Sequence, residues 1–463
     1  MLHRKTDRKN LQGEETRNRI LEETMRLVAR HGYAGTSLTM VRKASGVSAS
    51  SVYWHFSDKD QLIAAALEHA YRAQARSLPN WLDTLPGALR RADLFTELMR
   101  SPKSDSAMEY WRFGLQLAVV RPQTEIPARD RFLQIRRESI EWLGQWWERT
   151  FPVDMEQKRA AALLLGQFTV SMRESEFLKL HGNWQLDDHR LTWMVAACLD
   201  EVANRTSELV SERFIESVRE LDPQPEDPAP SGGREILVQA AKEVIMEFGY
   251  DGVTIARVCE KARLPASSLY WSFKDKDELI STVIAAACSK WGEARHRTEP
   301  LPADGDWSRI VRAHILPTMR NSANESGLLS LGLLLLLQRA DAVHQGRRDL
   351  ELVMQDTYDF TVDWFRQVLA LAPKEGPDAD LPVYLTECLF RLLDGILLSR
   401  QIDERPWDPE FLADLISTAL YRVAQTARDD KLILGREGQA EPEPIIGWHP
   451  SQQQRSSAAQ PIS

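Results

Sequence analysis

"ASSVYWHF" occupies residues 49–56 and "ASSLYWSF" residues 266–273. The likeness runs outward in register. Gly32-Tyr33 and Asp58-Lys59-Asp60 around the first copy match Gly249-Tyr250 and Asp275-Lys276-Asp277 around the second, with one step throughout (249 − 32 = 217; 276 − 59 = 217). A register kept over about forty-five residues marks a duplicated module, and so long a period duplicates whole domains rather than solenoid repeats.

A chain of 463 residues with 43% hydrophobic content has room for roughly three or four domains with real cores. The longest apolar run, "GLLSLGLLLLL" at 327–337, is well short of the roughly 20 residues of a membrane span. "MLHRKTDRKNLQGEE" has no apolar stretch of signal-peptide type. The chain therefore reads as cytoplasmic, without a membrane partner. Cys198, Cys259, Cys288 and Cys388 show no zinc-ligand spacing and read as buried thiols in a reducing compartment.

Apolar residues recur at helical intervals, as in Ile20, Leu21, Thr24, Leu27, Val28 and again in Leu237, Val238, Ala241, Val244, Ile245. The expected fold class is all-α. "LDPQPEDPAPSGG" at 221–233 reads as a linker, because proline, acid and glycine suppress helix and core alike. Residues 435–463 read as a disordered tail.

Each octapeptide lies in a predicted helix-turn-helix. A first helix ends at His31-Gly32 or Phe248-Gly249, where glycine makes a C-cap cheap. In copy one Ser37 can cap a short second helix, Leu38 and Val41 face inward, and Ser45-Gly46-Val47 turns into a third helix starting at Ser48. Val52 and Phe56, four apart, should face the core. That leaves Ser48, Ala49, Ser50, Tyr53, Trp54 and His55 to be shared among a DNA groove, its phosphates and packing. Asp58 with Gln61, and Asp275 with Glu278, resemble an aspartate capping box for a fourth helix. Lys59 and Lys276 then stand at a helix N-terminus, where charge, free N–H groups and dipole favour a phosphate.

"RILEETMRLVARHGYAGTSLTMVRKASGVSASSVYWHFSDKDQLI", including its Tyr-x-x-Phe-x-x-Lys tail, resembles the DNA-binding region of the TetR family of transcriptional regulators. Residues from about Arg234 to Ile280 resemble it less closely. Arg263 replaces the turn glycine, Pro265 the serine that opens the third helix, and Ser272 the usual histidine. The resemblance implies two tandem copies of a three-helix helix-turn-helix DNA-binding domain, each followed by a larger helical domain that binds a small molecule and dimerises through its last two helices. In copy two Ser267, Tyr270, Trp271 and Lys276 take the DNA-contacting positions. Charge favours copy one: residues 1–60 hold eleven Lys/Arg against seven Asp/Glu, residues 231–280 seven against eight. Phosphate neutralisation supplies much of DNA affinity, so the first module and its arm (Arg4, Lys5, Arg8, Lys9) should carry most of the non-specific attraction.

The expected organisation is a basic arm at 1–16, helix-turn-helix domains at 17–64 and 234–282, and helical ligand-binding or dimerisation domains at 65–220 and 283–434. Trp147 and Trp364 continue the register into those larger domains (364 − 147 = 217). Candidate effector contacts in the first are Trp111, Phe113, Gln116, Trp146 and Phe168. The second offers mainly leucines with Phe360, Trp364 and Phe390, and core packing is the competing reading for each. No catalytic motif, metal-ligand set or cofactor loop is present in the sequence; His181, His189 and the Asp187-Asp188 pair read as polar-loop residues. The expectation is not an enzyme but a ligand-responsive repressor in which one chain forms a monomeric TetR-like pseudo-dimer on a double-stranded DNA operator. The alternative is a helical sensor or interaction protein that has kept the scaffold and lost DNA binding.

Overall fold

The computed structural model describes residues 2–75, 90–99, 105–120, 125–152, 155, 157–178, 184–210, 232–248, 252–293, 302, 305–321, 326–337, 345–372, 379–403 and 408–427. The segments at 221–231 and 435–463, read as linker and tail, lie outside the described residues, as do His181 and the side chain of Cys288. The fold is all-α, with no strand among the described residues. No helix among them is long and apolar enough to cross a membrane.

The first half runs α1 (Leu2–Gly35), α2 (Leu38–Ser45), α3 (Ala49–His55), α4 (Lys59–Ala75), α5 (Arg90–Met99), α6 (Asp105–Val119), α7 (Pro127–Glu148), α8 (Lys158–Glu174), a 3-10 turn (Ser175–Leu178) and α9 (Asp188–Val210). The second repeats the order with α10 (Gly233–Phe248), α11 (Ile255–Ala262), α12 (Ala266–Ser272), α13 (Lys276–Glu293), α14 (Ser308–Asn321), α15 (Ser326–Leu336), α16 (Gln345–Val368), α17 (Leu381–Ile402) and α18 (Pro409–Ala427). The stretch read as a basic arm is helical from Leu2 and continuous with α1. The first helix breaks at the glycine that the sequence marks as its end: Gly32 has φ 66° and ψ 178°, a region that essentially only glycine enters.

Helices α8 and α9 pack against α17 and α18 as a four-helix bundle joining the halves. Its core holds Val170, Met172, Val195, Leu199 and Val202 from one half, and Leu385, Leu392, Leu412, Ile416 and Leu420 from the other, all buried in one apolar cluster. At about 1.5–3 kcal/mol per fully buried aliphatic side chain, this burial dominates the bundle's stability. Cys198 and Cys388 meet there, both buried; hydrogen bonding to Cys388 and burial push the Cys198 thiol up. Arg205 and Arg422 (422 − 205 = 217) both bind Glu208, at 3.0 and 2.7 Å, and Arg205 reaches Asp414 across the seam at 2.8 Å. Such partly exposed pairs contribute about 0–1 kcal/mol each, so they set register more than they hold the halves together.

Nearer the helix-turn-helix modules a second core runs without a break from one to the other. It passes from Ile20, Val52 and Phe56 through Phe113 and Leu117 of α6 and Leu331 and Leu335 of α15 to Leu237, Leu269 and Phe273. Gln116 joins α6 to the end of α15, its Nε2 donating to the Leu337 carbonyl at 2.9 Å. Between the two cores lies a buried polar network. Arg136 of α7 is 1% exposed and donates to both Glu174 oxygens at 2.8 and 3.0 Å and to Asp403 at 2.5 Å. Gln167 donates to Ser399 and to Asp403, each at 2.6 Å. Burial alone would pull the Arg136 guanidinium down, but Glu174 and Asp403 outweigh it and hold the side chain firmly protonated.

Candidate nucleic-acid interface

The third helix of each module stands on the same internal geometry. In copy one Ser37 caps α2 by accepting from Met40 N at 3.3 Å, and Gly46 turns the chain in the left-handed region (φ 67°, ψ 23°). Ser48 caps α3 by accepting from Ser51 N at 3.2 Å, with its hydroxyl 2.9 Å from that of Ser50. Val52 and Phe56 are buried, whereas Ser48, Ala49 and Ser50 are exposed and His55 is half-buried. Tyr53 and Trp54 are 60% and 79% exposed, and their counterparts Tyr270 and Trp271 are 59% and 90%. Large aromatics that could bury themselves are instead held outward, in the same register, twice.

Copy two keeps the backbone while changing the side chains. Arg263 takes the left-handed turn (φ 54°, ψ 37°) that Gly46 takes in copy one, at a cost of about 1–2 kcal/mol for a residue with a Cβ. Pro265 occupies the N-cap of α12 with no side-chain cap bond, so only its carbonyl serves, accepting from Ser268 N at 2.9 Å. Ser267 lies exposed one turn before Tyr270 and Trp271. Arg17 stacks on Phe56 and Arg234 on Phe273, at 5.5 and 4.6 Å from the ring centroids, repeating the register (234 − 17 = 217). The His55 imidazole is lowered, first by burial and then by Arg17.

The fourth helices begin with a variant of the expected capping box. Asp58 accepts from Gln61 N at 2.7 Å and Asp275 from Glu278 N at 2.9 Å. The return bonds go one residue further out, to Ser57 N and Lys274 N, each at 2.7 Å. Lys59 lies over the Tyr33 ring at 4.7 Å, and Tyr33 donates to Asp60. Burial lowers the Lys59 amine, and Arg257 of the other module lowers it further. Lys276 donates to the Val253 carbonyl at 3.1 Å. Both lysines therefore rest on their own module and would have to swing out to meet a phosphate.

The profile for bacterial regulatory proteins of the tetR family matches residues 20–66 and 237–283. The chain carries two TetR-family domains in tandem. Among curated proteins, the HTH-type transcriptional regulator AcrR of Shigella flexneri is 29% identical over 170 residues, covering 34% of this chain and 75% of the relative. The HTH-type transcriptional regulator TtgR of Pseudomonas putida is 32% identical over 95 residues, 19% of this chain and 45% of the relative. The tetracycline repressor protein class D of Escherichia coli is 31% identical over 88 residues, 19% of this chain and 38% of the relative. The chain thus spans three-quarters of one relative and less than half of the other two.

The aromatic residues singled out as effector contacts in the first TetR-type half do not converge. Trp111 and Phe113 sit on α6 in the core shared with the DNA-binding modules, Trp111 edge-on to Phe132 at 5.3 Å. Trp146 and Phe168 are buried in the bundle-side core, Trp146 edge-on to Trp147 at 5.1 Å. A small cleft of about 30 Å³ lies elsewhere, between α16 and α17, lined by Met354, Tyr358, Glu387, Phe390, Arg391 and Asp394 and floored by the 3-10 turn of the first half. Of these only Phe390 is a pocket candidate on sequence grounds, and the acids become visible only when the halves are assembled. His189 and Asp187-Asp188, read as loop residues, form the start of α9: Asp187 accepts from Arg190 N at 2.7 Å and His189 packs on Phe95 at 4.6 Å.

Proposed function

We propose that this chain is a DNA-binding transcriptional repressor in which one polypeptide supplies both halves of a TetR-like dimer and a small-molecule effector controls them. The observation that carries the reading is the matched exposure of Tyr53-Trp54 and Tyr270-Trp271 on the third helices of two modules. Exposed aromatic faces of this kind mark interaction surfaces, and α3 and α12 each suit a major groove. Ser48, Ala49, Ser50, Tyr53, Trp54 and His55 read the first half-site, with Ser37 fixing α2 beneath them. Ser267, Tyr270 and Trp271 read the second. Lys59 and Lys276, released from Tyr33 and Val253, hold phosphates at the starts of α4 and α13.

The packing of α8 and α9 on α17 and α18 within one chain supports a monomeric pseudo-dimer. The names of the relatives, transcriptional regulators and a tetracycline repressor among them, support repression relieved by a ligand. Since Ser48 faces Pro265 and His55 faces Ser272 across the repeat, the two half-sites are related but unequal. Light scattering should give the mass of one chain, and footprinting of retrieved genomic DNA should show two unequal half-sites about one helical turn apart. A two-chain species protecting a perfect palindrome through two copies of the first module would overturn the reading.

A further inference from the structure

Within the helix-turn-helix modules the register holds residue for residue, and at one face it reverses the charge. Arg26 and Arg30 on α1 and Lys43 on α2 correspond to Glu243 and Glu247 on α10 and Glu260 on α11 (243 − 26, 247 − 30 and 260 − 43 are each 217). These positions share one patch. In the second module Lys261 reaches Glu243 at 3.6 Å and Glu247 at 3.4 Å, which ties the acids of α10 to the end of α11, and the first module repeats the helix order and the turn. Arg26 holds Glu23 of its own helix at 2.5 Å while its side chain stays 65% exposed. The side chains of Arg30 and Lys43 are exposed and, like the Glu260 carboxylate, make no hydrogen bond or ion pair among the described residues. With Glu23 and Lys261 counted, the patch carries +2 in the first module and −2 in the second.

We propose that this patch is a contact between copies of the chain, the basic patch of one copy seated on the acidic patch of the next. Phosphates of flanking DNA would account for the basic patch alone, since acids at the same place on the second module repel that polyanion. A second copy accounts for both. The contact is heterologous: each chain in a pair keeps one patch free, so further copies add head to tail. Exposed ion pairs contribute little singly and are screened by salt. Chains therefore stay single in dilute solution at physiological salt and meet where they are concentrated, as on neighbouring DNA sites. That last consequence rests on the repressor reading, whereas the contact itself does not.

The test is sedimentation of the full chain without DNA. At about 0.01 M salt, where the Debye length is about 30 Å, the average mass should climb with protein concentration up to the millimolar range. At about 0.15 M salt, where it is about 8 Å, the mass should stay that of one chain. Arg30→Glu with Lys43→Glu makes both patches acidic, and Glu243→Lys with Glu260→Lys makes both basic. All four side chains are exposed, and a cooperative melt verifies that each variant is folded. Either variant alone should sediment as single chains at low salt, and an equal mixture of the two should associate again. A parent that stays single at low salt and millimolar concentration, variants that associate as the parent does, or a mixture that fails to associate would each overturn the proposal. A gel shift with genomic fragments separates the two readings: a chain that associates yet retards no DNA upholds the contact and counts against the repressor, and one that retards DNA yet never associates does the reverse.

Discussion

Gly395 of α17 lies so close to the main chain of Ser171 of α8 that a Cβ at position 395 would overlap the Ser171 carbonyl oxygen. The obstacle is backbone on a packed helix, so no side chain can move aside. Gly395→Ala should therefore destabilise the protein by about 1–3 kcal/mol through overpacking, even though alanine favours a helix interior by about 1 kcal/mol. Urea unfolding monitored by tryptophan fluorescence reads the balance. A more stable variant would mean that the halves separate there without cost.

Arg136→Met removes the shared partner of Glu174 and Asp403. Two buried or part-buried carboxylates then lose their cation, and stability should fall by about 3–5 kcal/mol. Denaturant titration measures it, and the triple change that also makes Glu174 and Asp403 apolar should recover most of the loss.

Ser48→Ala and Pro265→Ser are opposite changes at equivalent caps. Loss of the Ser48 cap should cost about 1 kcal/mol and loosen α3. Pro265→Ser should add a side-chain cap to α12 and strengthen protection of the weaker half-site. Footprinting of the two variants on one DNA fragment distinguishes the half-sites.

Lys59→Ala should lower affinity for all sequences alike and reduce the slope of log affinity against log salt by about one unit. A gel-shift titration at several salt concentrations checks this. Because Lys59 lies on Tyr33, Tyr33→Leu should free the amine and leave the slope intact.

Burial, and after it Glu387, push the Asp394 carboxyl up to about 7. Facing it are Glu387 and Arg391 on its own helix and Tyr358 on α16, with Glu176 beyond Arg391 and Arg173 near Glu176. The folded state thus holds the proton more tightly than the unfolded chain, whose carboxyl titrates near its ordinary value of 3.8. The stability that Asp394 contributes is complete below that value, is lost as pH rises to about 7, and is level above it. Asp394→Asn should melt higher than the parent at pH 8 and show no such advantage at pH 4.

Much of this architecture is legible in the chain. Val52 and Phe56 lie four apart, the spacing that buries one helix face, and both are buried. Ser37 and Ser48 sit at helix starts where a hydroxyl oxygen can accept a free N–H, and both do so. These are local effects carried by a few neighbouring residues. The arm at 1–16 is harder, because a charged stretch without an apolar face gives no sign that α1 extends through it. The Arg136 network and the α16–α17 cleft are not legible at all. Arg136 meets Asp403 across 267 residues of chain, and neither a polar network nor a cleft between helices has a sequence period. Trp146 and Phe168 show the converse: their size suggests pocket walls, yet that same size fills a core.

The bundle of α8, α9, α17 and α18 has a consequence for dosage. Two separate chains must find each other before they can grip a two-part site, so at low abundance the number of competent readers grows with the square of the number of chains. Here the meeting partners are tethered, and encounter is replaced by a fixed local concentration. On the repressor reading, occupancy should then rise with the first power of protein amount down to a few copies per cell. The unequal partition of molecules at cell division would change the output in proportion rather than switch it off.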